Sequence, residues 1–197
     1  MKIEPLSKSQ AGQESFVINV LERKKNGFYI EVGAYHSTEI SNTWALENIY
    51  GWQGISIEID LKRSIEFRKK RRNLLIHNDA TKLNYKQLFQ EYNVPVIIDY
   101  LQIDIEPARQ SFKALISVLL SGHKFNVITF EHDLYVSSKN YLYKQCALVV
   151  LTILGMKRVA NYVRNDGLAF EDWYINKKIK EHHVIAKNSE WRDIFAS

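Results

Sequence analysis

A chain of 197 residues with 46% hydrophobic and 25% charged side chains has the composition of a globular protein with one substantial core. The single cysteine, Cys146, excludes an internal disulfide, and no apolar run approaches the roughly 20 residues that span a bilayer. Met1–Gln10 has no apolar stretch of the kind a secretory signal carries, so a reducing, cytoplasmic setting without membrane contact is expected.

Taken in chain order, Phe16, Val17, Val20 and Leu21 fall at helical spacing and predict an amphipathic helix over 10–24. Residues 26–36 follow as a buried strand running into a tight turn. Phe28, Tyr29, Ile30 and Val32 suit a strand covered on both faces, and Gly27 and Gly33 punctuate its ends. A helix is predicted over 37–50, with Ile40, Trp44, Leu46 and Ile49 available to pack. A strand over 54–59, a helix over 60–72 and a strand over 74–76 come next. The second half repeats the alternation, with a strand over 96–103 and a helix opened by Pro107 whose Phe112, Leu115, Ile116 and Leu119 recur at i, i+3, i+4 and i+7. A strand over 125–130 and a long helix over 138–154 follow. Two β-like runs, 157–163 and 169–175, flank the polar turn Arg164–Gly167, and so short a connection forces them antiparallel. The alternation predicts an α/β fold with a mostly parallel sheet and one reversed strand at its end. No second boundary is visible, so residues 1–197 are expected to form one domain, with 1–25 as a helical lead-in.

The net charge of +5 is concentrated in Arg68-Lys69-Lys70-Arg71-Arg72. Cations suit the negative end of a helix dipole, and without interleaved aromatic residues the run reads as a solvated helix end rather than a nucleic-acid patch. The acids are more informative. Glu31, Glu58, Asp79, Asp104 with Glu106, and Glu131 fall at the carboxyl ends of five successive predicted strands, where open α/β sheets bind their ligands. Any one of them alone would read as a strand-end residue or a helix cap; in series they point to a common cleft.

Several segments together resemble the FkbM-type branch of class I S-adenosylmethionine-dependent methyltransferases. They are Ile30-Glu31-Val32-Gly33-Ala34, Ser41-Asn42-Thr43, Gly51 to Glu58, Tyr100 to Glu106, Ile128 to His132 and Phe170 to Ile175. The lead-in Ser9 to Gln13 is similar as well. The resemblance implies a Rossmann-like, doubly wound sheet of seven strands with a reversed last strand and helices on both faces. It also implies that Glu31, Gly33, Ala34, Tyr35, Glu58, Ile59, Asp79, Ala80 and Asp104 contact S-adenosylmethionine. Within that set Glu58 would hold the ribose, Asp79 and Ala80 the adenine, and Asp104 with Glu106 would face the methyl group. The chain departs from the family pattern in Tyr35-His36-Ser37, which stands where Asn-Asp-Gly is usual, and this bears on cofactor affinity more than on fold. His36 would be a substrate-side base or, more commonly for a lone loop histidine, a solvated residue.

Methyl transfer from a sulfonium needs positioning and a deprotonated nucleophile. Two arrangements of the same residues would meet that need. In one, Asp104, Glu131 and His132 hold a divalent cation, Mg²⁺ or Mn²⁺, that acidifies an acceptor hydroxyl. In the other, Glu106 or His132 acts as a general base without metal. The expected reaction is O-methylation of a sugar or other small molecule, by analogy with the family. The alternatives are a catalytically inactive binding domain on the same fold and a metal-dependent nuclease.

Overall fold

The computed structural model describes residues 7–179 and 186–187. Its strands are β1 (Phe28–Val32), β2 (Gln53–Glu58), β3 (Leu74–His77), β4 (Ile97–Ile103), β5 (Lys124–Glu131), β6 (Met156–Asn165), β7 (Leu168–Asn176) and the two-residue β8 (Ala186–Lys187). They form one sheet in the order β3-β2-β1-β4-β5-β7-β6-β8. The first five strands are mutually parallel, and β7 runs antiparallel to both β5 and β6. The expected seven-stranded, mostly parallel sheet with its last strand reversed is therefore present. The reversed strand is inserted between β5 and β6, because the tight turn at Asp166-Gly167 folds it back on β6 while its other edge completes β5. The short β8 adds an outer parallel pairing at Ala160 and Asn161.

The helices are α1 (Gln13–Val20), α2 (Trp44–Asn48), α3 (Leu61–Lys70), α4 (Tyr85–Glu91), α5 (Ala108–Leu119) and α6 (Tyr141–Ile153). On one face of the sheet Ile30, Val32, Leu101, Ile103, Ile128 and Phe130 meet Leu88 and Phe89 of α4, Leu115 and Val118 of α5 and Leu151 of α6. On the other face Tyr29, Tyr100 and Trp173 meet Phe16 and Val17 of α1 and Ala45 and Leu46 of α2. Successive strand residues point to opposite faces, so Glu31, Gln102, Thr129 and Glu171 share the second face with Tyr29, Tyr100 and Trp173.

The predicted helix over 37–50 is reduced to the five residues of α2. Ser41, Asn42 and Thr43 are buried, and their side chains bond elsewhere than in a helix ladder: the Ser41 hydroxyl accepts locally from the Thr43 amide (3.4 Å), and the Thr43 hydroxyl donates across to Glu31 on β1 (2.9 Å). Helix α4 had no counterpart in the sequence reading. It is capped by Asn84, whose side chain accepts from the Gln87 amide. Asp60 caps α3 in the same way, accepting from the Arg63 amide at 2.8 Å.

Arg71 corrects the reading of the basic run as a solvated helix end. It follows the last residue of α3 and is buried, donating to Glu47 (2.7 Å), to the Ser37 and Thr43 carbonyls, and to the hydroxyls of Ser41, Tyr29 and Thr43. Its neighbours in the run are exposed.

Candidate functional site

The carboxyl ends of β1 to β5 open into one cavity of about 850 Å³. It is lined by Glu31, Gly33, Ala34, Tyr35, Glu58, Ile59, Asp79, Ala80, Asp104, Glu106 and Glu131, which is every residue of the sequence-derived set except His132. His36 does not line it; its ring stands edge-on to Tyr35 at 4.5 Å.

The turn after β1 sets the geometry. Gly33 has φ +92°, and a Cβ there would lie 1.8 Å from the Asp104 carbonyl oxygen, so only glycine lets β1 and the end of β4 approach this closely. The Gly33 and Ala34 amides both donate to the Ile57 carbonyl (3.0 and 3.2 Å), which ties the turn to β2. Tyr35 is held at φ +43°, a left-handed conformation that asparagine adopts more readily than tyrosine. Its amide donates to Glu58 Oε2 at 2.9 Å, and the Arg63 guanidinium lies 3.8 Å from its ring centre. Glu58 Oε1 accepts from the Asp60 amide at 2.7 Å, so both oxygens are oriented by backbone donors while the residue lines the cavity. Asp79 accepts from the Thr81 amide and hydroxyl, and these bonds hold its carboxyl below the usual range; Ala80 is buried beside it.

Glu31 is fully enclosed. It accepts from Thr43 Oγ1 (2.9 Å) and Ser56 Oγ (2.5 Å), and burial raises its pKa to about 7. Asp104 is raised to about 7 by burial first and then by Asp133, Glu31 and Glu106; the Gln102 amide at 3.0 Å opposes the shift. A second amide, Asn42 Nδ2, reaches the same oxygen at 3.5 Å. Glu106 lies exposed on the rim, ahead of a cis bond to Pro107. Glu131 is buried against the cavity.

His132 is a correction. Because it follows Glu131 directly at the end of β5, its side chain points to the opposite face of the sheet. There it is wholly buried, with Nε2 3.4 Å from Asp172 Oδ1 and Nδ1 accepting from the Leu134 amide. The expected ligand set of Asp104, Glu131 and His132 is thus not assembled, and among the described residues no group of three His, Cys, Asp or Glu side chains could hold a metal ion. His132 is equally out of reach as a base for the cavity. Sequence reasoning gave no role to Asn42, Arg63, Gln102 or Tyr135. Gln102 was within reach of it, since a residue two before Asp104 on one strand shares its face.

No protein-family model matches the chain, and no curated protein does. Solved structures do. A candidate rRNA methylase from Clostridium thermocellum aligns over 92% of this chain and 99% of its own, with 12% identity and a TM-score of 0.60. A candidate O-methyltransferase from Klebsiella pneumoniae aligns over 87% and 83%, with 14% identity and a TM-score of 0.60. An O-methyltransferase from Bacillus cereus, solved in complex with SAH, aligns over 89% and 84%, with 14% identity and a TM-score of 0.59. With the strand order above, these likenesses show the Rossmann-like fold of class I methyltransferases.

Proposed function

We propose that the chain is an S-adenosylmethionine-dependent methyltransferase of FkbM type that methylates a hydroxyl on a sugar or other small molecule. The observation that carries this reading is the conjunction, in one cavity, of the Gly33 turn with a buried Glu58 whose two oxygens are aimed by the Tyr35 and Asp60 amides. The residues suit the cofactor chemically. Glu58 is an acceptor for paired ribose hydroxyls, Asp79 and Ala80 offer an edge for the adenine, and Asp104 offers negative charge to an ammonium and a sulfonium. When bound, the cofactor supplies an electrophilic methyl carbon. The chain's own task is to hold an acceptor oxygen in line with that carbon and to take its proton. With the cofactor bound, the acceptor oxygen would form the new O–C bond as the C–S electron pair returned to sulfur, and Asp104 would be the group to take the hydroxyl proton. A carboxylate raised to about 7, as Asp104 is, suits a base working near neutral pH.

Calorimetry with S-adenosylmethionine and S-adenosylhomocysteine (SAH) tests the proposal. Both should bind, and Glu58→Ala should weaken them by about 1.5 to 3 kcal/mol, the range for hydrogen bonds to a charged group. Unchanged affinity removes Glu58 from the role. No binding at millimolar cofactor leaves a methyltransferase fold used as a binding domain.

A further inference from the structure

The cavity has two chemically different ends. Arg63 is the only Lys or Arg among the described residues that line it, and it lies over Tyr35 on the side of Glu58. At the ends of β4 and β5 the wall is made by Asp104, Glu106 and Glu131 with Asn42, Gln110 and Tyr135, and contains no cation. Negative charge alone would not define a site there. Two further observations do.

Glu131 is only 9% exposed and lines the cavity, yet its carboxylate accepts no hydrogen bond and joins no ion pair among the described residues. With no donor from the described residues, the Glu131 carboxylate is left to be met by whatever fills the cavity, and a partner that brings positive charge and donors suits it best. Asn42, 6% exposed in the same wall, turns its amide nitrogen towards Asp104 and leaves its Oδ1 without a partner. The wall therefore carries net negative charge and an unpaired acceptor, against which stand the neutral donors of Gln110 and Tyr135 and an Asn42 amide already turned to Asp104. The cofactor reading, on which this inference rests, assigns Asp104 to the cofactor's own cations and to the acceptor's proton. Glu106 and Glu131 are left over.

We propose that the methyl acceptor is a cationic amine: a small molecule that presents a protonated amino group to Glu106 and Glu131 while a neighbouring hydroxyl faces the transferable methyl. An ammonium group carries three donors and one positive charge and no acceptor, which is the complement of this wall. The same wall disfavours phosphate-bearing acceptors, including RNA, because like charges brought into a partly desolvated cavity repel. The amino group is a recognition handle and undergoes no bond change.

The test uses the full chain saturated with SAH and matched neutral and charged probes: glucosamine, N-acetylglucosamine and glucose 6-phosphate, then putrescine and N-acetylputrescine, read by ligand-observed NMR and calorimetry. At neutral pH the amines should bind at least about tenfold more tightly than their N-acetyl forms, as the charge-assisted hydrogen bonds of one ammonium predict. Raising NaCl from about 0.05 to about 0.5 M should shrink that preference. Glu106→Gln and Glu131→Gln should each reduce it while SAH affinity holds. Glu106 is exposed, so its variant tests the idea even if Glu131→Gln impairs folding. Equal binding of the N-acetyl forms, preference for glucose 6-phosphate or for a short RNA, or binding of no amine overturns the proposal. If SAH itself does not bind, the cofactor reading falls. If SAH binds and no amine preference appears, only the acceptor assignment falls.

Discussion

The two faces of the sheet bury carboxylates by opposite means. On the face covered by α1, α2 and α3, Glu14, Glu31 and Glu171 are enclosed and held mainly by neutral donors. Glu31 accepts from two hydroxyls, Glu171 from the Trp173 indole (2.5 Å) and the Gln13 amide (3.0 Å), and Glu14 from the Ala45 and Lys8 backbone amides. Burial dominates, and their pKa values rise to about 7, about 7 and about 8 for Glu14, Glu31 and Glu171 in turn. On the face covered by α4, α5 and α6, Asp172 is as deeply buried, and burial pushes it up too. It is nevertheless held well below the usual range by His132 and Lys144, with Lys144 Nζ at 2.5 Å and Arg158 at 3.1 Å. The first face thus holds acids at the edge of ionisation beneath the cavity, and the second holds a fixed negative charge that fastens α6 to β7. A general base near neutral pH needs the first state, and a structural clasp needs the second.

Arg71 is the exception on the first face, and removing it should give the largest effect. It pairs with Glu47, which is itself buried and also accepts from the Arg72 amide, and it gathers the 37–43 segment around Thr43. Arg71→Ala leaves Glu47 without its buried counter-charge and frees the segment that carries Asn42. We expect a loss of about 3 to 5 kcal/mol in urea unfolding, the range for breaking one side of a buried pair. Lys70→Ala, one residue away in an exposed pair with Glu66, should change stability by less than about 0.5 kcal/mol. Comparable losses for the two would erase the distinction between them.

That pair also shows what the sequence made legible. The acids at the strand ends could be located because the β pattern of Tyr29–Val32 and Ile55–Ile57 fixes where each strand stops. The site residues so named line one cavity, His132 apart. His132 was misplaced although the rule that excludes it is local: it is consecutive with Glu131, and a period of two sends neighbours to opposite faces. Arg71 was not legible. Five consecutive cations look solvated until the 37–43 loop closes over one of them, and that enclosure depends on contacts 24 to 42 residues away in sequence. The fold survived these errors because it rests on strand and helix alternation, which no single buried charge alters.

The faces should also respond differently to pH. A carboxyl whose folded pKa lies above its unfolded value of 4.5 binds its proton more tightly when folded. Its contribution is full below about 4.5 and is lost as pH rises through about 7 to 8. Asp172 has the opposite sign: its contribution is present above its unfolded value of 3.8 and is lost only in stronger acid. Each of these carboxyls would lose on the order of 2 to 4 kcal/mol between about pH 5 and pH 8, so stability is expected to fall by several kcal/mol over that interval. Glu171→Gln, which keeps the acceptor for Trp173 and Gln13 while removing the titration, should flatten the upper part of that fall. Denaturant midpoints at several pH values measure this directly. A profile level or rising over the interval would mean that the acids under the cavity are ionised without penalty, and the contrast between faces would fail.

A small effect of opposite sign is expected at the rim of the cavity, at Tyr35. Tyr35 occupies a left-handed conformation that costs a non-glycine residue about 1 to 2 kcal/mol, though asparagine pays less because its side chain bonds locally. Against that, the exposed Tyr35 ring gains about 0.5 to 1 kcal/mol from the Arg63 guanidinium above it. Tyr35→Asn removes both terms, and we expect a net stabilisation of about 0.5 kcal/mol, rising towards about 1 kcal/mol when the change is made in an Arg63→Ala background, where the cation contact is already gone. The Tyr35 amide still donates to Glu58 in either variant, so SAH affinity should hold. If Tyr35→Asn instead costs more than about 1 kcal/mol, the ring supports the turn beyond its contact with Arg63, and the rim belongs with the tightly built face beneath it.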